Sequence, residues 1–130
     1  MELLFFGYRE FTARGDRILA RRGLGRTHHR VLYFVGRNPG ISVGGLLDIL
    51  AVSKQALNAP LRQLTEMKLI VLSPDPEDRR VRRLELTPAG QSLEAELTGA
   101  QMRFLSVAFD KAGAANEAGW TRVMETLDAR

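Results

Sequence analysis

The sequence predicts a mainly α-helical domain carrying one two-stranded β hairpin, and three observations point to it. Apolar side chains recur at intervals of three and four over most of the chain, the period of a helix with one buried face. One central stretch departs from that period: "KLIVLS" and "RRLELT" are short, β-branched or alternating, and separated by a loop rich in Pro and Asp. Finally, 130 residues with 45% hydrophobic and 26% charged side chains suffice for one core and one domain. The predicted order is four helices, two strands and two further helices.

Each element has its own signal. In "MELLFFGYREFTARGDRILARRGLG", Leu4, Tyr8, Phe11, Gly15 and Ile18 form a stripe that Gly23 and Gly25 end. Leu3, Phe5 and Phe6 widen the apolar surface beyond what one small core needs, which calls for a partner helix. Thr27 is the expected N-cap of a short helix through Val31, Leu32 and Val35, stopped by Asn38-Pro39-Gly40. Ser42 is placed to cap a third helix carrying Leu46, Leu47, Ile49 and Leu50, which Gly44 and Gly45 weaken in isolation. Ser53 caps a fourth, with Leu57, Leu61 and Leu64 inward and Pro60 removing one of its backbone hydrogen bonds. The strands are joined across Pro74 to Arg80. Thr87 caps the fifth helix with Pro88 at its first position, Leu93, Leu97, Phe104 and Ala108 along one stripe, and an end near Gly113. The last helix, with Asn116 as its expected cap, sets Trp120, Val123, Met124 and Leu127 on one face.

Composition removes several classes of function. The absence of cysteine excludes disulfides, thiolate metal sites and thiol chemistry. His28 and His29 are adjacent, so on a helix they diverge by about 100° and cannot easily hold one metal ion. Asp75, Glu77 and Asp78 lie on a turn among arginines, without the pocket that an acid–base pair requires. Ser42 and Ser53 read as caps, with no histidine placed to activate them. No enzyme, cofactor or metal is therefore expected. With no apolar run long enough to span a bilayer and no signal-peptide layout, a cytoplasmic protein, nucleoid-associated when bound to DNA, is expected. The net charge is +4, and the excess is local: residues 1–40 hold eight arginines against three acids, residues 91–130 four basic groups against six acidic ones. One face is thus suited to a polyanion.

A short helix, a tight turn and a second capped helix make a helix-turn-helix, whose second helix enters the DNA major groove. With the three leucines inward, Lys54, Gln55, Asn58 and Arg62 face outward; Gln and Asn suit adenine, Lys and Arg suit guanine or phosphate. The hairpin then acts as a wing. Arg79, Arg80, Arg82 and Arg83 cannot all point one way along alternating backbone, so some reach the neighbouring minor groove and others phosphates. Asp78 can hold a nearby guanidinium and stiffen the tip.

"SVGGLLDILAVSKQALNAPLRQLTEMKLI" followed by "DPEDRRVRRLELTPAGQ" resembles the MarR family of bacterial winged helix-turn-helix regulators. That family's wing pattern is matched in register by Asp78, Arg80, Leu86, Thr87 and Gly90, while Lys68 stands where the family usually has glycine. The resemblance implies a single domain over residues 1–130, with winged helix-turn-helix at about 27–87 and dimerisation helices at about 1–25 and 88–130. It implies a homodimer reading a near-palindromic operator in double-stranded DNA, Arg80 at the wing tip and Asp78 as its buttress. It further implies a repressor released by a small phenolic or aromatic acid, for which Phe11, His28 and Tyr33 are the expected lining and Arg14 the expected carboxylate partner. The alternatives are a winged-helix DNA-binding protein without an effector, reading shape rather than sequence, and a winged-helix module that binds another protein.

Overall fold

The inward leucines and valines of five helices and both long strands converge on one cluster, in which Val31, Leu32, Val35, Leu46, Leu64 and Leu84 are wholly shielded from solvent. The computed structural model describes residues 1–130. Around this cluster run α1 (Glu2–Arg21), α2 (Arg26–Arg37), β1 (Ile41–Ser42), α3 (Val43–Leu50), α4 (Lys54–Glu66), β2 (Ile70–Pro74), β3 (Arg82–Leu86), α5 (Pro88–Ala112) and α6 (Ala114–Leu127). α1 and α2 both pack on α5, and α2 also covers α3, α4 and β3. None of the helices is long and apolar enough to cross a membrane.

The hairpin is not merely two-stranded. β1 joins it, giving an antiparallel sheet in the order β1-β3-β2, with Ile41 opposite Leu84 and Leu72 opposite Leu84 on the other side. A strand of two residues is too short to show any alternation, which is why the sequence does not announce it.

Three of the expected caps form as read: the hydroxyls of Ser42, Ser53 and Thr87 accept from the backbone N–H of Gly45, Ala56 and Gly90 at 3.0, 3.1 and 3.0 Å. Two do not. α2 begins at Arg26 with Gly25 as N-cap, because the His28 ring reaches back to accept from the Gly25 N–H at 3.0 Å; Thr27 lies two residues too far in. Asn116 lies inside α6, where its amide donates to the Ala112 carbonyl at 2.7 Å. It thus ties down the end of α5, and Gly113, at φ +95°, turns the chain directly into α6.

The buried stripe of α1 is also rotated from the expected one. Thr12, Gly15 and Leu19 are buried, Phe11 and Ile18 flank them half-buried, and Leu4 and Tyr8 are exposed. Likewise α5 is buried through Gly90, Leu93, Leu97 and Ala100, but Phe104 is only half-buried and Ala108 exposed. α6 contributes no buried residue at all. With 25 residues α5 is about 37 Å long, so its second half carries α6 beyond the core.

Candidate nucleic-acid interface

The helix-turn-helix is α3, a turn through Ala51 to Ser53, and α4. Ala51 ends α3 in the left-handed conformation at φ +51°, which lets the chain reverse within three residues. α4 buries Leu57, Leu61 and Leu64 against the core. Its opposite face exposes Lys54, Gln55, Asn58 and Arg62 as one polar row from the first turn to the third. Pro60 lies within α4, so the Ala56 carbonyl lacks the N–H that would normally close that turn.

The wing has a firm root and a free tip. At the root, Lys68 stands at φ +58°, the left-handed region that glycine usually occupies, at a cost of about 1 kcal/mol for a side chain there. This turn brings the Lys68 carbonyl to the Thr87 hydroxyl, which donates to it at 2.6 Å, and the Leu69 carbonyl to the Thr87 N–H at 3.1 Å. Gly90 then passes so close that a Cβ there would lie 2.0 Å from the Leu69 oxygen. The Leu-Thr-x-x-Gly pattern is thus the geometry by which β3 ends, α5 begins and both meet the exit of α4.

The buttressing of the wing falls mainly on a residue that the sequence did not single out for it. Asp75 is 8% exposed, and both its oxygens are occupied. One accepts from the backbone N–H of Glu77 (2.8 Å) and of Asp78 (3.0 Å), the other from the Arg83 guanidinium at 2.5 Å from Nε. Arg83 also donates to the Gly40 carbonyl (3.2 Å), so this arginine faces inward and binds the wing to the turn after α2. Asp78 accepts from the Arg80 backbone N–H at 3.1 Å and from its Nε at 3.2 Å. The Arg80 side chain remains 91% exposed, and Arg79 and Arg82 are exposed beside it. The Asp-Pro-Glu-Asp turn was a signal for Asp75, because Asp commonly accepts from the N–H two residues on; three acids in four positions hid which one does so.

The two backbone donors, followed by Arg83, hold the Asp75 carboxyl below the usual carboxylate range. As pH falls, the unfolded chain takes up this proton before the folded one does. The contribution of Asp75 is therefore complete above about pH 4 and lost as pH drops through its folded value. Asp75→Asn keeps an acceptor for the two backbone N–H groups but loses the Arg83 pair. We expect its Val81 amide, bonded to the Asp78 carbonyl at 2.9 Å, to exchange faster than in the parent at neutral pH and to lose the acid-dependent step. Hydrogen exchange followed from pH 7 to pH 3 checks this.

The four residues expected to line an effector site are not gathered in one place. Phe11 is half-buried on α1, and the Arg14 guanidinium stacks on Phe104 at 4.9 Å. His28 and Tyr33 are five residues apart on α2 and so point about 140° apart. His28 turns toward α4, bonding to Gln63 at 2.9 Å, while Tyr33 lies under the Arg37 guanidinium at 3.7 Å. The histidine facing α5 is His29. Its Nε2 is 3.2 Å from the Thr98 hydroxyl, which donates to Glu94 at 2.9 Å, and Glu94 accepts from Arg37 at 2.6 Å. Burial pushes the His29 pKa down, keeping the ring neutral. No group of three or more His, Asp or Glu side chains is arranged to hold a metal ion.

With this geometry in hand, comparison with known proteins is specific. The MarR family profile matches residues 22–81. The HTH-type transcriptional regulator PetP of Rhodobacter capsulatus is 42% identical over 127 residues, spanning 98% of this chain and 76% of PetP. Among solved structures, Streptococcus pneumoniae FabT in complex with DNA superposes with a TM-score of 0.83 at 17% identity, covering 97% of this chain and 90% of FabT. Bordetella bronchiseptica BpsR, whose DNA binding is regulated by 6-hydroxynicotinic acid, superposes with a TM-score of 0.75 at 21% identity, covering 97% of this chain and 96% of BpsR. The helix-turn-helix, the wing root and the relationship to PetP agree: the chain belongs to the MarR family of DNA-binding, non-enzymatic winged helix-turn-helix transcriptional regulators.

Proposed function

We propose that the protein is a homodimeric repressor that reads a near-palindromic operator and is released from it by a small aromatic or phenolic acid. The observation that carries the DNA-reading part is the pairing of one exposed polar row on α4 with a free arginine tip on a braced wing. In this reading Lys54, Gln55, Asn58 and Arg62 meet base edges and phosphates of the major groove. Arg80, steadied by Asp78, enters the adjacent minor groove, and Arg79 and Arg82 reach phosphates.

Dimerisation is supported by apolar surface that this chain leaves uncovered. Leu3, Leu4 and Phe5 are 64–90% exposed and Leu127 65%, with Trp120 at 45% and edge-on to Phe109 at 5.2 Å. These residues lie on α1, α5 and α6, so residues 1–25 and 88–130 would join two copies while 27–87 reads DNA. A two-fold dimer places two recognition helices about one turn of DNA apart, ~34–36 Å, matching a palindrome. The ligand reading draws on BpsR and on the α1–α2–α5 region, where Arg14 stacks on Phe104 and Tyr33 lies under the Arg37 that pairs with Glu94; in this reading Phe11 adds to the lining, and His28 takes part only if it leaves Gln63.

The test is operator affinity. Arg80→Ala should weaken binding by ~1–3 kcal/mol at fixed salt, the range for one good groove contact, with the dimer and its melting temperature unchanged. Unaltered affinity would remove the wing from the interface. In the same assay a releasing acid must itself bind less well to the DNA-bound dimer by the factor by which it lowers operator affinity. A broad panel of phenolic carboxylates that neither shifts melting nor frees DNA would reject the effector.

A further inference from the structure

Gln63 lies three residues beyond Pro60 on the half-buried edge of α4, away from the exposed row that faces outward. Both ends of its amide are engaged. Nε2 donates to the Gly23 carbonyl at 3.2 Å, and Oε1 is 2.9 Å from His28 Nε2. The other ring nitrogen, Nδ1, accepts from the Gly25 N–H at 3.0 Å, so the ring proton sits on Nε2 and is donated to Gln63. The direction of every hydrogen bond in the set is thereby determined: Gly25 N–H to His28, His28 to Gln63, Gln63 to the Gly23 carbonyl. The two partners of this pair, Gly23 and Gly25, both belong to the joint between α1 and α2. In that joint Gly23 turns at φ +69°, Leu24 is buried, and the Arg26 guanidinium donates to the Asp16 carboxylate at 2.8 to 3.1 Å.

We propose that Gln63 and His28 form a positioning latch that sets the tilt of the recognition helix against the α1–α2 joint, and that discrimination between operator and random DNA depends on it. The proposal rests on reading α4 as the helix that enters the groove. Its physical basis is the backbone hydrogen bond missing at Pro60. Leucine packing alone holds α4 at Leu57, Leu61 and Leu64, and such packing resists separation better than rotation, because apolar contact is non-directional. Two directional hydrogen bonds beyond the proline hold the C-terminal half of the helix at one rotation about that packed seam. They also make α1, a candidate dimer helix, and α4 move together through one side chain. Neither residue touches DNA in this arrangement, so the latch acts on selectivity and not on the charge that attracts DNA.

The test uses the full-length protein and the operator that it selects from random duplexes. Gln63→Leu and His28→Leu should each lower the preference for operator over random DNA by about tenfold, the effect of losing one or two modest hydrogen bonds. The affinity for random DNA and its salt dependence should be unchanged, a separation that general loosening of the fold would not produce. The double variant should lose no more than the larger single loss, since either change opens the same latch. Gln63→Met, which keeps the side chain's length and neutrality but cannot donate to the Gly23 carbonyl and accepts only weakly from His28, should behave as Gln63→Leu and is the variant to read if the leucine lowers the melting temperature. Strictly additive losses, or a full operator preference in Gln63→Leu and Gln63→Met, overturn the latch. Asn58→Ala separates this from the underlying reading. If it relaxes the operator preference and the Gln63 variants do not, the latch alone is wrong; if none of them does, α4 is not the reading helix and both fall.

Discussion

Gly90→Ala is expected to destabilise the fold by about 3 kcal/mol or more, a large part of the roughly 5–15 kcal/mol that holds a domain of this size together. The new Cβ would lie 2.0 Å from the Leu69 carbonyl oxygen and 3.0 Å from its carbon, and both are backbone. Neither has a rotamer through which to yield. The Leu69 carbonyl is held by the Thr87 N–H, and Gly90 is held by its own N–H on the Thr87 hydroxyl. Relief therefore means prising α5 from the wing root and giving up hydrogen bonds that tie β2, β3 and α5 together. Gly36→Ala is the internal comparison. Its Cβ would come within 2.9 Å of the Leu86 Cδ1, the end of a flexible side chain that can turn away, so about 1 kcal/mol is expected. Thermal or urea unfolding of the two variants checks the contrast. A Gly90 variant as stable as the Gly36 variant would mean that the wing root gives way readily, and the close approach would not explain why glycine stands there.

The same root shows what was legible in the sequence. Ser42, Ser53 and Thr87 were readable as caps because a hydroxyl just before an apolar helical run has one obvious use, and Pro88 reinforced the last of them. The order of helices and strands followed from periods of 3.6 and 2. Thr27 and Asn116 misled because a cap needs only a suitable acceptor in reach. At Gly25 that acceptor is the His28 ring, and at Asn116 the side chain found the Ala112 carbonyl instead. β1 is shorter than any period. The outward row on α4 could be inferred from its three inward leucines, since a helix has only one other face. The distant partners of Asp75, Gln63 and His29 could not, because Arg83, His28 and Thr98 each lie at least eight residues away. Charge on the wing was visible in composition, but which arginine turns inward depended on where Gly40 lies.

Pro60→Ala is expected to raise the stability of the folded protein by ~1–3 kcal/mol while weakening discrimination among DNA sequences. Proline in a helix interior lacks the N–H for the carbonyl four residues back, crowds that carbonyl with its ring, and disfavours helical backbone at the residue before it, for a total near 3 kcal/mol relative to alanine. α4 nevertheless runs unbroken from Lys54 to Glu66, so the surrounding structure bears this cost. It does so through Leu57 and Leu61 on either side of the proline, both buried, and through Gln63 just beyond it. Alanine restores the bond to the Ala56 carbonyl and removes the crowding, so the turn at position 60 closes as an ordinary helical turn. Lys54, Gln55 and Asn58 lie before the proline and Arg62 after it, so closing that turn shifts the first three relative to the fourth. Side chains that meet base edges are sensitive to such a shift, whereas attraction to phosphates is not. The expected signature is a higher melting temperature, unchanged affinity for random DNA and a lower operator preference. A local rule broken at a stability cost in the reading helix is the kind of strain that functional sites retain. If alanine instead lowers stability, the packing around α4 demands the proline; if stability rises and operator preference is intact, the proline has no part in recognition.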